Sequence, residues 1–199
     1  MRHIILGVCL GFMPGFVLAT PSAALQLQQR LSHLKTFQAD FMQTLTQAGH
    51  TQTQSGYVLI QKPGQFVWAV QKPHIQTYVS DGKTLWQYDQ QLNQVIVRQL
   101  ATGLSQTPIA LLTAAQPLSR LYVVKTVGSN RFQLNAKQPG AVMQSVTLRF
   151  AQQQLVGMSL QNALHQTTRV KFQHVRYNQS VSPKTFHFKA PQGADVVHV

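Results

Sequence analysis

The sequence predicts a mainly β protein with some α-helix, in which a large curved antiparallel sheet is accompanied by two helices. Two features predict this class: an amphipathic pattern near the start of the chain, and a long series of short strand-like runs after it. Most neighbouring runs lie too close together for a helix to connect them, so we expect antiparallel hairpins. The chain has 199 residues, which is enough for one ordinary domain with an apolar core.

The first residues are typical of an export signal. A short basic start, Met1-Arg2-His3, precedes an apolar run from Ile4 to Leu18 that contains Pro14, and small residues follow. This run is too short to span a membrane. We therefore expect a cleaved secretory signal peptide over residues 1–19, with a second cleavage site at Ala24 left open, and a single domain over 20–199.

The next segment predicts one long amphipathic helix from Ala23 to about Gln47, ended by Gly49. Its apolar residues recur at steps of three and four, which marks one face of a helix. A stripe this wide has to lie on a large apolar surface. The apolar positions are Leu27, Leu31, Leu34, Phe37, Phe41, Met42 and Leu45.

From Tyr57 onwards the sequence predicts strands. Branched and aromatic residues concentrate in short runs, and Pro, Gly and Asp separate them. The predicted strands are Tyr57–Ile60, Phe66–Val70, Ile75–Val79, Leu85–Tyr88, Gln94–Arg98, Leu121–Val127, Phe132–Leu134, Val142–Phe150, Leu155–Leu160, Thr167–Val175 and Thr185–Phe188.

One segment within this series predicts a short helix instead. It runs from Thr107, a capping residue, through Pro108 to Ala115, and Pro117 ends it. The helix is apolar nearly all round, so both of its sides should be covered. Two arrangements fit: the helices fill the concave side of the sheet as ordinary core, or they form a lid over an apolar cavity. Periodicity does not separate them.

The composition argues against several classes of function. There are 17 Lys and Arg residues against four Asp and no Glu, which gives a net charge of +13. So few carboxylates disfavour paired-acid catalysis and oxygen-ligand metal sites. The only cysteine, Cys9, lies in the signal segment, the histidines are scattered, and no G-x-S-x-G motif occurs. We therefore expect no metal, no cofactor and no enzyme activity, with an exported hydrolase as a remote alternative.

The basic charge leaves its partner open. Because the chain is expected to be exported, nucleic acid is disfavoured as its binding partner. Anionic phospholipid headgroups, acidic faces of partner proteins and general solubility all remain as explanations.

The ordered motifs of the chain resemble the LolA family of periplasmic lipoprotein carriers. No single motif is diagnostic, but the set spans essentially the whole mature chain. The motifs are Leu31-x-x-Leu34-x-x-Phe37-x-Ala39-x-Phe41, Ser55-Gly56-Tyr57-Val58-Leu59-Ile60-x-Lys62-Pro63-Gly64-x-Phe66-x-Trp68, Val79-Ser80-Asp81-Gly82-Lys83-Thr84-Leu85-Trp86-x-Tyr88, Thr107-Pro108-x-x-Leu111-Leu112 and Phe186-x-Phe188-x-x-Pro191-x-Gly193-x-Asp195-Val196.

The resemblance implies an incomplete antiparallel β-barrel with a helical lid over an apolar cavity. It implies a periplasmic, monomeric carrier that binds the acyl chains of lipoproteins. An inner-membrane ABC transporter would load it, and an outer-membrane receptor lipoprotein of the same fold would unload it. A same-fold receptor and a lipid-sensing regulatory protein are the alternatives.

The resemblance also implies roles for individual residues. Lys62 stands where the family typically has an arginine that holds the lid shut through backbone carbonyls, so it is the predicted latch. The predicted cavity wall is Leu59, Phe66, Trp68, Trp86 and Tyr88, with ordinary core packing as the alternative. The predicted lid residues are Leu31, Leu34, Phe41, Ile109, Leu111 and Leu112.

Overall fold

Twelve strands form one hydrogen-bonded sheet in the computed structural model, which describes residues 21–100, 109–113 and 117–199. The predicted signal peptide and the predicted cap at Thr107 and Pro108 lie outside these residues. The strands are β1 (Thr36–Gln47), β2 (His50–Gln61), β3 (Gln65–Lys72), β4 (Gln76–Asp81), β5 (Thr84–Asp89), β6 (Gln94–Gln99), β7 (Tyr122–Thr126), β8 (Arg131–Ala136), β9 (Met143–Ala151), β10 (Gln154–Asn162), β11 (Thr167–Tyr177) and β12 (Asp195–His198).

The sheet consists of two antiparallel meanders joined through β1. Strands β1 to β6 follow one another in space, as do β7 to β11, and β1 pairs with β11. The order is β12-β6-β5-β4-β3-β2-β1-β11-β10-β9-β8-β7, so β12 and β7 are edges and the sheet does not close. The predicted class, mainly β with a curved and incompletely closed sheet, is confirmed. One pairing differs from the expected antiparallel pattern, because β12 runs parallel to β6.

The long helix predicted from Ala23 to Gln47 is wrong beyond residue 32. Helix α1 spans Ala23–Ser32, where the Ser22 side chain accepts a hydrogen bond from the Leu25 N–H, and β1 follows from Thr36. Steps of four are even numbers, so positions 37, 41 and 45 share a face of a strand as well as of a helix. Met42, which the helical pattern would bury, is 48% exposed on β1.

The strand predicted at Thr185–Phe188 is also wrong. A 3₁₀ turn spans Pro183–Phe186, and β12 forms further along the chain. Pro183 has no N–H to donate to a ladder, which disfavours a strand there. Phe186 instead inserts its ring into the sheet face and is completely buried.

Two apolar clusters cover opposite faces of the sheet. The larger cluster gathers side chains from both meanders together with α1 and the helix α2 (Ile109–Thr113), so it lies on the concave side. The smaller cluster lies on the convex side, where the C-terminal segment crosses β3 and β4. Strand β3 is buried on both faces. It sends Phe66, Trp68 and Val70 to the larger cluster and Val67 and Ala69 to the smaller one.

Within the described part of the chain, neither α1 nor α2 is long and apolar enough to cross a membrane.

The smaller cluster should be an independent contributor to stability. We expect Phe186→Ala to lower the free energy of unfolding by about 3–5 kcal/mol, because a fully buried aromatic ring is lost and a cavity is left. Equilibrium unfolding in urea measures the change. Thr185→Ala is the control: its side chain is exposed, so it should change stability by no more than about 0.5 kcal/mol. If Phe186→Ala lowers the free energy of unfolding no more than Thr185→Ala does, the C-terminal segment does not stabilise the sheet.

Candidate functional site

The concave side of the sheet is covered by α1 and α2. Ile109, Leu111 and Leu112 of α2 are all at least 96% buried, and α2 contacts β2 and β3. The Thr113 hydroxyl donates to the Ile109 carbonyl at 2.9 Å, which satisfies the one polar side chain of this helix. The described part of this helix is therefore buried, as its apolar composition predicted.

A cavity of about 440 Å³ lies where the two helices meet the rim of the sheet. Leu27 and Leu31 of α1 line one side, and Leu111 of α2 lines another. Leu118, in a 3₁₀ turn at Leu118–Arg120, and Val124 on β7 add to the wall. Most of the lining is aliphatic, the polar members are Gln28, Ser32 and Ser119, and Lys62 is the one cation among the described lining residues.

Lys62 connects the sheet to α1 through this cavity. Its Nζ donates to the Leu31 carbonyl at 3.0 Å, and its backbone N–H donates to the Lys35 carbonyl at 2.9 Å. Leu31 lies in the last turn of α1, where its carbonyl also accepts from the Leu34 N–H at 3.3 Å and the helix dipole favours a cation. The predicted latch residue thus contacts a backbone carbonyl of a predicted lid residue.

Burial lowers the pKa of the Lys62 ammonium from its ordinary value of 10.5. In the folded chain Lys62 therefore loses its proton at a lower pH than in the unfolded chain. Between these two pKa values the unfolded chain binds more protons, so the contribution of Lys62 to the free energy of unfolding increases with pH.

The pH dependence of the stability contributed by Lys62 can be measured by comparing the wild type with Lys62→Met, whose side chain at this position cannot titrate. We expect the free energy of unfolding of the wild type, minus that of the variant, to stay constant near neutral pH. It should then increase as the pH is raised towards 10.5. Chemical unfolding at a series of pH values gives this difference, and all other titrating groups cancel. A difference that decreases with pH would mean that the pKa of Lys62 is raised instead.

Phe66 and Trp68 face the concave side within the larger cluster, but neither lines the cavity of about 440 Å³. Trp68 stacks on Phe41 with ring centroids 4.1 Å apart and an interplanar angle of 25°. Phe41 belongs to β1, so its prediction as a lid residue on a helix is wrong. Leu31 does lie on α1, and Leu34 is buried in the connection between α1 and β1.

Three predicted wall residues lie on the other face of the sheet. Leu59, Trp86 and Tyr88 are on the convex side, where Trp86 and Tyr88 contact Phe188 at centroid distances of 6.2 and 6.4 Å. Their prediction as cavity wall is wrong. Alternation correctly indicated that Trp86 and Tyr88 share a face, but it could not indicate which face. Cross-strand pairing decides it, because Trp86 lies opposite Val79 of the smaller cluster.

Sequence reasoning missed Arg30, which the helical pattern placed on a solvated face. Its guanidinium lies over the rings of Phe132 and Phe150, 5.2 and 5.1 Å from their centroids. It also donates to the Gln152 carbonyl at 3.4 Å. These contacts attach α1 to the β8–β10 side of the sheet. No local signal could have found them, because the partners are about a hundred residues away.

Comparison with known proteins agrees with this arrangement. The family model described as "Outer membrane lipoprotein carrier protein LolA" matches residues 32–189. The chain belongs to the LolA family. An outer-membrane lipoprotein carrier protein of Chromobacterium violaceum is 36% identical over 183 residues, which cover 90% of this chain and 89% of that protein. Its counterpart in Hahella chejuensis is 36% identical over 175 residues, covering 84% of each.

Solved structures support the LolA-type fold at much lower sequence identity. The crystal structure of a LolA superfamily protein from Nitrosomonas europaea superposes with a TM-score of 0.53 at 12% identity, covering 83% of this chain and 97% of that one. An uncharacterized conserved protein from Thermus thermophilus gives a TM-score of 0.56, also at 12% identity, covering 89% and 100%. At such identities the likeness concerns the fold alone.

Proposed function

We propose that this protein is a periplasmic carrier that binds the acyl chains of lipoproteins beneath α1 and α2 and delivers them to the outer membrane. In this proposal residues 1–19 direct export and are removed. An inner-membrane ABC transporter supplies the cargo, and an outer-membrane receptor lipoprotein of the same fold accepts it. The protein acts as a carrier and not as an enzyme.

The observation that carries the proposal is the aliphatic cavity under two helices that belong to no strand ladder. An acyl chain of about sixteen carbons needs such a surface, because exposing each CH₂ to water costs about 0.8 kcal/mol. A whole chain therefore costs on the order of 13 kcal/mol to hold bare in water. An apolar wall replaces most of this contact with water.

The size of the cavity supports a lid that opens. At about 440 Å³ it lies towards the lower end of the range of about 300–1,000 Å³ for single small-molecule sites. Several acyl chains need more room, so α1 and α2 would have to move away from the sheet. In the closed arrangement their apolar residues pack against the sheet. Re-closure therefore compensates for loss of the lipid, which allows release without an external energy source.

Lipid occupancy tests the proposed function directly. We expect the protein isolated from the periplasm to carry acylated lipoprotein that mass spectrometry detects. Trp68→Glu should abolish this co-purification, because a carboxylate on the concave side would face the acyl chains without a partner once α1 and α2 have moved away from the sheet. Tyr57→Glu is the matched control. Tyr57 lies on the adjacent strand β2, opposite Ala69 and so next to Trp68, but it points to the convex side and is 41% exposed.

Folding of both variants is checked by circular dichroism. If Trp68→Glu is folded and still carries lipoprotein, Trp68 is not part of the wall. If the wild type carries no lipoprotein but hydrolyses an ester substrate, the carrier proposal is wrong and the hydrolase is supported.

The Lys62 contact should set how readily the lid closes. We expect Lys62→Leu to hold cargo longer and to transfer it to the receptor at least about tenfold more slowly, because a hydrogen bond from a charged donor contributes about 1.5–3 kcal/mol. Lys62→Arg should keep or improve transfer, since guanidinium offers more donors to carbonyl groups. The rate of lipoprotein transfer to membranes containing the receptor is the measurement. Lys83→Leu, in an exposed turn, is the control, and an unchanged rate in Lys62→Leu would remove Lys62 from the lid mechanism.

A further inference from the structure

Positive charge is concentrated on one part of the convex face. Residues 90–194 contain six Arg and five Lys but no Asp or Glu. Strands β7 to β11 all lie in this segment, so their half of the sheet contains no carboxylate side chain. Four cations on β8, β9 and β11 are exposed and point away from the larger cluster. We call them the basic face: Arg131, Arg149, Arg169 and Lys171.

Strand register brings these four cations close together. Arg131 lies directly opposite Arg149, and Gly157 lies between Arg149 and Lys171. Neighbouring strands are about 4.8 Å apart, so this row crosses four strands within roughly 15 Å. Arg169 points to the same side two residues before Lys171, about 7 Å away along β11.

Gly157 leaves room for the Arg149 side chain. A β-carbon at Gly157 would lie 2.7 Å from Nη2 of Arg149, so the guanidinium crosses β10 towards Lys171. Like charges directly opposite each other destabilise a sheet. Repulsion among Arg131, Arg149 and Lys171 therefore lowers the stability of the sheet, and no ion pair within the described residues offsets it.

One carboxylate stands beside this surface: Asp40 of β1 pairs with Gln173, two residues from Lys171, and contacts His174 at 2.7 Å. In the described residues no carboxylate lies within 4.0 Å of any of the four cations. The four Asp side chains all have other partners: Asp40 contacts His174, Asp81 accepts from its own turn, Asp89 accepts from Gln76, and Asp195 accepts from Gln94. A second copy of the chain would meet the same shortage of negative charge, so the partner has to be a different molecule.

We propose that the basic face docks an acidic segment of a partner protein, in which carboxylates repeat along one side of a helix. Residues three and four apart on a helix are about 5–6 Å apart, which is close to the spacing of the strands. Guanidinium groups bind carboxylates through two parallel hydrogen bonds. Exposed charge pairs of this kind make a fast, salt-sensitive and reversible contact.

A protein surface fits this face better than a membrane does. Beside the four cations, β8 and β11 present amide and hydroxyl side chains outwards, such as Gln133, Gln173 and Thr167. On β1 and β7 to β11 the exposed large apolar side chains are Met42, directly opposite Lys171, and Val123 on β7. Neither is aromatic, so this face offers little apolar surface to a lipid interface. A convex sheet also touches a flat bilayer only along a narrow strip.

The test uses a helical alanine-based peptide with glutamate at every fourth position, and a peptide of the same composition in scrambled order. We expect the aligned peptide to bind the wild type more tightly than the scrambled one, with an affinity that falls as salt is added. Removing the basic face should weaken this binding by about tenfold or more, because each exposed pair contributes up to a factor of about five. The variant is Arg131→Gln, Arg149→Gln, Arg169→Gln and Lys171→Gln combined.

A matched variant removes the same number of charges from four exposed lysines outside the basic face. Its affinity for the aligned peptide should stay within about twofold of that of the wild type, since surface charges outside a contact contribute little. It combines Lys35→Gln, Lys83→Gln, Lys137→Gln and Lys189→Gln. Equal loss in both variants would show an effect of net charge alone and overturn the proposal. So would tighter binding to phosphatidylglycerol vesicles than to the peptide, with loss in the basic-face variant, because it would identify a membrane partner.

This proposal is separate from the lipid site. The basic face and the larger apolar cluster lie on opposite sides of the sheet, so the basic-face variant should carry lipoprotein as the wild type does. If the acidic peptide does not bind, the carrier proposal is unaffected. If no lipoprotein co-purifies with the protein, the docking proposal is unaffected.

Discussion

The concave face of the sheet has to be covered by apolar atoms whether or not a ligand is bound. Strands from both meanders direct aromatic and aliphatic side chains to this side, and α1 and α2 cover them. Helix α2 has only five described residues, far fewer than an isolated helix needs to be stable in water. Its stability therefore comes from packing on the sheet. Any ligand that enters competes with this packing, and the closed state sets the free energy that ligand binding must exceed.

The strand ladders do not include the helices, so the proposed opening would leave the sheet intact. Helix α1 lies against β7, and α2 lies against β2 and β3, but neither helix belongs to the sheet, so separating them breaks no strand ladder. The connection after α1 is anchored, because the Asn178 side chain donates to the His33 carbonyl and accepts from the Lys35 N–H. On the opposite face, Phe186 fixes the sheet from outside. Opening would then involve mainly apolar packing, the contacts of Arg30 and the hydrogen bond from Lys62 to Leu31.

Local sequence signals predicted most strands but not the faces they present. Ten predicted strands overlap strands of the sheet, since branched residues, alternation and turn residues act within a few positions. Between residues 33 and 47 the local signal was ambiguous, because apolar steps of four suit both periodicities. Placing Trp86 on the convex side required its contact with Phe188 of the C-terminal segment, and finding β12 required its parallel partner β6. Such information lies in contacts distant along the chain, which no local pattern contains. The prediction of Lys62 as the latch came from the family resemblance. Its contact with Leu31 depends on the end of α1 lying close to the end of β2, which no local pattern predicts.

The convex face is divided into two halves with different chemistry. Over β2 to β5 the C-terminal segment covers an apolar surface, so that half is already occupied by the chain itself. Over β8 to β11 the surface is polar and positively charged, and none of the described residues covers it. Gly157 leaves room for one guanidinium to cross a strand there. A solubilising surface needs neither a directly opposed pair of arginines nor the absence of carboxylates over 105 residues, the span from 90 to 194. None of the four Asp side chains forms an ion pair with the basic face, and Asp40, which lies beside it, contacts His174. A partner would therefore supply the neutralising charge. A carrier that meets its partners through this face and its cargo through the other can separate recognition from lipid binding, because neither surface has to be altered to adjust the other.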